Sequence, residues 1–379
     1  MMGVKYTRGF LDELLGQEMH AARVQSLANG VVGVLSAAVV SIAAIGQAYA
    51  MVAGTKGKSG IKQIDRLLSN PGVIVDEIQK EWVKFVVGVR KEIVVAMDWT
   101  DFDDDDHTTL CAYLVTSHGR ATPMVWHTVT KSDLRGKRTQ MEQDMVERLH
   151  GWLDPEIDVE LLADRGFGDQ KLYELLTFYG WDFTIRFRGN IRVESASGEA
   201  RSGNDWVLPT GRALMLRGAR VTDDRAAVPA VVVVHARGMK EPWCMVTSRK
   251  DFTASQVTKR YGRRFSIEET FRDTKDLRFG LGLKATHIGK PERRDRMLLL
   301  VAMAHALLTL LGAASEATGM DAYLKANTVK RRTHSLFRQG SYWYAAIPNM
   351  REDWLRTLME AFDRVVRQHA VFQEAFGIL

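Results

Sequence analysis

Residues 261–275, YGRRFSIEETFRDTK, place Tyr261, Arg264, Glu268 and Lys275 at i, i+3, i+7 and i+14. On a helix turning 100° per residue these four fall within roughly 60° of one face, while Arg263 and Glu269 point elsewhere. A carboxylate flanked by a guanidinium, a phenol and an ammonium can complete a metal site while the basic groups hold a phosphodiester. A plainer reading is an i, i+4 salt bridge from Arg264 to Glu268 on a solvated helix. It accounts for one pair only.

Two more acids stand at the ends of apolar runs: EIVVAMD closes on Asp98 and VELLAD on Asp164. A carboxylate that closes a buried strand is costly unless it meets a cation or hydrogen-bond donors. On neighbouring strands the two would form a hard, oxygen-rich site suited to Mg²⁺ or Mn²⁺. Taken singly, either is equally a strand-end turn residue. Asp101 and Asp103–Asp106 follow the first acid as a charge run and read mostly as solvated loop.

The elements that must carry these acids are legible as a change of period. From residue 91, KEIVVAMDWT, TTLCAYLVTS and RATPMVWHTV are three strands separated by polar or glycine-containing turns. A helix over 138–151, a strand within 157–169, a helix over 169–179 and a strand over 181–189 follow, which together predict a mixed α/β sheet. Residues 190–248 are turn-rich with strand-like pieces, a β insertion ahead of the helices predicted at 254–276 and 291–314. The expected domains are a helical, DNA-binding 1–88, a catalytic core over 89–190 and 249–315 interrupted by the insertion at 191–248, and a helical, dimerising 316–379. In the first of these, TKGKSGIKQIDRLLSN (55–70) has the basic charge and short turn of a small DNA-binding helical module, or of a loop before an ordinary amphipathic helix.

Composition excludes several classes. The 379 residues suffice for two or three cores, and 46% hydrophobic with 26% charged residues is an ordinary globular balance. Lys+Arg 52 against Asp+Glu 46 leaves +6, a modest excess that fits a polyanion partner. With only Cys111 and Cys244 there is no disulfide framework and no thiolate zinc site, and a reducing, cytoplasmic setting follows. The uncharged stretch 31–53 is long enough to span a bilayer, yet it is rich in Ala, Ser and Gly and follows a segment holding Asp12, Glu13 and Glu18. It reads as one buried helix or two short ones, with no membrane partner.

The spacing Y-x2-R-x3-E-x6-K resembles the signature of the Asp-Asp-Glu transposases of bacterial insertion sequences, in the group known by the letters YREK. LLADRGFGD resembles that family's second-aspartate segment, AMDWTDF its first, and PWCMVTS the strand ahead of its signature helix; the likeness runs from about 88 to 315. It implies an RNase H-like sheet with a β insertion and helical flanks. It also implies a metal triad of Asp98, Asp164 and Glu268 with two Mg²⁺ or Mn²⁺ ions, and phosphate contacts from Tyr261, Arg264 and Lys275. Trp243 matches a tryptophan that in the family stacks on a base flipped out during hairpin formation, and it is equally placed for a strand-end core residue. The implied partners are double-stranded DNA, as terminal inverted repeats and target, and a second copy of the chain in a synaptic complex on the nucleoid. Phe265 departs from the pattern, standing where some members have Trp. A nuclease or resolvase on the same sheet would cut without joining, and a non-catalytic relative would bind DNA only. Three intact carboxylates argue against the last.

Overall fold

The computed structural model describes residues 4–367; the outermost parts of both expected terminal regions, 1–3 and 368–379, lie outside it. Five helices come first: α1 (Val4–Leu15), α2 (Ala21–Ala37), α3 (Ile42–Ala53), α4 (Gly57–Ser69) and α5 (Val75–Val87). The uncharged stretch 31–53 is thus two helices, bent 98° at a break. Ala38, with φ 52°, ends α2, and Ser41 caps α3 by accepting from the Ala44 N–H at 3.1 Å. α3 and α4 meet backbone to backbone, because a Cβ on Gly46 would lie 2.5 Å from Ile61 N. α5 is fixed to the sheet by Trp82 Nε1, donating to Pro123 O at 2.7 Å, and by Gln79 Nε2, donating to Trp126 O at 3.0 Å.

The sheet begins with an antiparallel meander, β1 (Glu92–Phe102), β2 (His107–Val115) and β3 (Ala121–Thr130). After α6 (Lys131–Leu134) and α7 (Arg138–Trp152) the chain returns as β4 (Asp158–Ala163), parallel to β1. α8 (Gln170–Phe178) leads to β5 (Asp182–Phe187), parallel to β4. This is the mixed α/β sheet that the strand and helix order predicts, and it is consistent with the RNase H-like sheet that the resemblance implies. The strands of the insertion do not form a layer of their own. β6 (Arg192–Glu194), β7 (Ala200–Ser202), β8 (Leu214–Val221), β9 (Ala226–Val234) and β10 (Trp243–Thr247) extend the same sheet, whose order is β3-β2-β1-β4-β5-β10-β9-β8-β6-β7.

Helices follow: α9 (Ala254–Gly262), α10 (Ser266–Lys275), α11 (Pro291–Ala317), α12 (Leu336–Ala346) and α13 (Glu352–Arg367). The single helix expected over 254–276 is corrected: a 3₁₀ turn at Arg263–Phe265 divides it. Gly262 weakens the helix there, and the tighter winding turns Arg264 inward. α11 is long and apolar enough to cross a membrane, but 94% of that apolar window is buried inside the protein, among α2, α4, α12, α13 and β3. A helix that is apolar all round is what a fully enclosed position requires. Of the acidic run, Asp105 is the exception to solvation: it accepts from Ile288 N at 3.0 Å and pairs with the buried Arg294.

Candidate active site

Asp98 was expected to end its strand, and this too is corrected. β1 continues to Phe102, paired with β2 throughout, and Asp98 sits opposite Cys111. What ends is the neighbour on the other side: the β1–β4 pairing stops at Met97↔Ala163. Asp98 and Asp164 are therefore each one residue past the last shared rung of two adjacent parallel strands, which run about 4.8 Å apart. The apolar run ends there because the covering layer ends, and burial along β1 falls at the same residue.

Asp164 leads into a 3₁₀ turn, and its Oδ1 accepts from Gly166 N at 2.7 Å. A Cβ on Gly166 would come within 3.0 Å of that oxygen and 3.4 Å of Arg138 Nη2, so glycine keeps the approach to the acid open. Arg264, on the turn between α9 and α10, reaches across the same end of the sheet. Its Nη1 donates to Asp98 Oδ2 at 3.0 Å and its Nη2 to Glu268 Oε1 at 2.7 Å. The i, i+4 pair of the plainer reading exists, but not on a solvated face. The Arg264 side chain is 6% exposed and that of Asp98 16%, against 49% for Glu268.

Burial pushes the Asp98 carboxyl up to about 6; Arg264 opposes the shift, while the charges of Asp164 and Glu268 add to it. Tyr261 is buried beneath Trp243 with ring centroids 5.2 Å apart, and burial pushes its phenol up to about 12. Phe265 closes the group, 5.6 Å from Trp243 and 5.0 Å from the Arg264 guanidinium carbon. Trp243 is half-buried within this aromatic cluster, at the β10 end nearest the acids. Lys275 lies beyond, donating to Thr100 Oγ1 at 2.9 Å and Asp101 O at 2.6 Å, and burial holds its pKa below the ordinary ammonium value.

Two residues at the site escaped the sequence reading. Glu142 on α7 is buried, accepts from Trp99 Nε1 at 2.7 Å and pairs with Arg138 at 3.1 Å, which in turn lies over the Trp99 ring at 5.2 Å. Trp99 follows Asp98 directly, so this trio braces β1 beside the acid. Their only sequence signal is the i, i+4 spacing at the start of a helix.

Three carboxylates with no soft ligand among them would suit a hard divalent cation. The positive charge now between Asp98 and Glu268 is that of Arg264. Among the described residues no three acidic, histidine or cysteine side chains close around a point that could hold a metal ion. Asp98 and Glu268 are joined through Arg264, with Asp164 beside them. Cys111 and Cys244 are both buried and free.

Residues 91–307, more than half of the chain, match the family model described as a transposase DDE domain. No curated protein matches the chain.

Proposed function

From a chain that belongs to the transposase DDE domain family, we propose an insertion-sequence transposase of the YREK group that binds the terminal inverted repeats of its element, cuts there and joins the freed end to target DNA. The observation that carries this reading is the placement of Asp98 and Asp164 at the end of adjacent parallel strands, with Arg264 linking Asp98 to Glu268. Asp98, Asp164 and Glu268 would hold Mg²⁺ or Mn²⁺, two ions in all. Bound cations of this kind activate an attacking water or 3′-hydroxyl and stabilise the leaving oxygen.

The protein's own groups do the rest. Released from the acids, the Arg264 guanidinium is a bidentate partner for a phosphate, and Lys275 supplies a second positive charge about two helical turns beyond Glu268. Tyr261 and Phe265 hold the turn that aims Arg264. Trp243 offers a face for an unstacked base if the route passes through a hairpin. End recognition is assigned to the N-terminal helices, where α4 presents exposed Lys58, Lys62 and Arg66 at four-residue spacing and is set close against α3. Two copies would act together at paired ends, in the cytoplasm on the nucleoid.

The test is incubation with labelled DNA carrying the element's own ends and Mg²⁺, scored for nicks, hairpins and joined products. Strand transfer is the expected result. Cutting without joining would leave a nuclease on the same sheet, and binding without cutting would sink the enzymatic reading altogether.

A further inference from the structure

The positive excess of this chain is not spread over it. Residues 322–351 contain six Lys or Arg and no Asp or Glu, so the rest of the chain is balanced, with 46 of each sign. Flanking acids answer three of the six: Lys325 pairs with Asp321, Arg332 with Glu316 and Arg351 with Asp353. Lys330, Arg331 and Arg338 have no carboxylate within ion-pair distance among the described residues. Lys330 and Arg331 are exposed on the irregular loop between Leu324 and α12, and Arg338 lies over the Tyr342 ring at 4.7 Å in the first turn of α12.

This loop borders a cleft of about 480 Å³ lined by Arg120, Arg272, Phe279, His334, Arg338 and Tyr342. The acid in its wall, Asp273, is buried and held by Arg120 at 2.5 Å. Phe279 and Tyr342 are 55% and 39% exposed, each with an arginine, Arg278 and Arg338, lying over its ring. The opposite wall is the later part of α10, the helix that carries Glu268. Within the cleft Arg120 and Arg272 are paired with Asp273 and Glu269, which leaves Arg338 at its wall and Lys330 and Arg331 on the bordering loop as the unpaired cations. Together with the exposed rings they form the footprint of a phosphate backbone.

We infer that the loop 325–335 and the first turn of α12 form a second DNA-binding surface, which takes the backbone of a duplex segment outside the cleaved position. The inference rests on the DNA reading above and gives part of the region expected to dimerise a different partner. Contacts to phosphates are sequence-independent and release counterions, so each one contributes about 0.9 to the log–log salt slope.

The test is a salt titration of the full-length protein on a labelled mixed-sequence duplex lacking the element ends, read by fluorescence anisotropy. Joint replacement Lys330→Gln, Arg331→Gln and Arg338→Gln is expected to lower the slope by about 2.7, and the exposed-loop pair alone, which leaves α12 untouched, by about 1.8. An unchanged slope in both variants overturns this surface. If Lys275→Ala still lowers the slope, the DNA reading survives that failure; if the unsubstituted protein binds no duplex at any salt, both fall. Loss of binding to phosphatidylglycerol vesicles, with the DNA slope unmoved, would assign the surface to a membrane and overturn it as well.

Discussion

At one end of β1, β4 and β5 stand Glu92, Asp158, Glu160 and Asp182; at the other stand Asp98 and Asp164, with Glu268 on α10 beside them. Both ends combine carboxylates with arginines, and the ratio around the buried acid separates them. Glu160, with a side chain 2% exposed, faces two guanidiniums, Arg249 at 3.6 Å and Arg260 at 3.5 Å, and also accepts from Thr184 Oγ1 at 3.3 Å. Asp98 shares a single arginine with Glu268, and a third carboxylate adds to the negative charge around it. In the first, two arginines flank the one buried acid, although Asp182, Asp251 and Glu92 share them, and Arg260 ties α9 to the sheet. The second has more negative charge than its one arginine can answer, which is what a cation-binding site needs before its cation arrives.

Activity should break this comparison most sharply. Asp98→Ala, Asp164→Ala and Glu268→Ala are each expected to reduce cleavage of end-bearing DNA to background while leaving end binding in place. Glu160→Ala should cost about 3 kcal/mol of stability by leaving two arginines facing an empty position, yet preserve cleavage per folded molecule. Nicking assays paired with urea denaturation measure both. Equal loss of cleavage at the two ends would mean that both sets of acids serve the fold.

Stability should give the next largest effect. Arg264→Ala removes the only ionic partner that a buried carboxylate has among the described residues and is expected to destabilise the protein by about 3 kcal/mol, with Arg264→Lys intermediate because an ammonium cannot bridge two acids in one plane. Chemical denaturation checks it. A loss below about 0.5 kcal/mol, the size of a solvated i, i+4 pair, would return Arg264 to the plainer reading.

How much of this was legible in the sequence depends on the range of the interactions involved. The meander, the α/β alternation and the insertion strands show in hydrophobic period, which is local. Asp98 and Asp164 show as the ends of apolar runs, because burial stops where the covering layer stops. The register that brings them side by side does not show, since it is set by β4 returning parallel to β1 across a helix. Nor does the 3₁₀ turn at 263–265: helical spacing treats 254–276 as continuous, whereas Gly262 and the inward pull of two carboxylates on Arg264 divide it. Arg138 and Glu142 were missed because their role comes from Trp99, forty residues away along the chain.

Asp98 also makes a prediction of opposite sign. Its carboxyl holds its proton more tightly in the folded protein, at about 6 against 3.8 when unfolded. Its contribution to stability is therefore complete below the unfolded value and lost as pH rises through about 6. Asp98→Asn should be more stable than the parent by about 2 kcal/mol at pH 8, less than the full shift implies because Arg264 then keeps only Glu268. The advantage should shrink to nothing near pH 4. Thermal melts across that range measure it, and a pH-independent difference would mean that the carboxyl is not held in its acid form by burial.

The smallest effect expected is confined to one reaction step. Trp243 packs between Tyr261 and Phe265 at the acid-bearing end of the sheet, half-buried, so its ring has one edge in the core and one free. If the route passes through a hairpin, a base near the cut must leave the stack at a cost of a few kcal/mol, and an aromatic face returns about 1–3 kcal/mol of that. Trp243→Ala should then leave the first nick unchanged and slow the hairpin step, by between about 5-fold and 150-fold on that stacking energy. Trp243→Phe should recover most of the rate, and an abasic site at the flipped position should remove the dependence. Parallel loss of both steps, with a lowered unfolding midpoint, would show that the ring serves only to hold Tyr261 and the turn that aims Arg264, and the two ends of the sheet would then differ in charge alone.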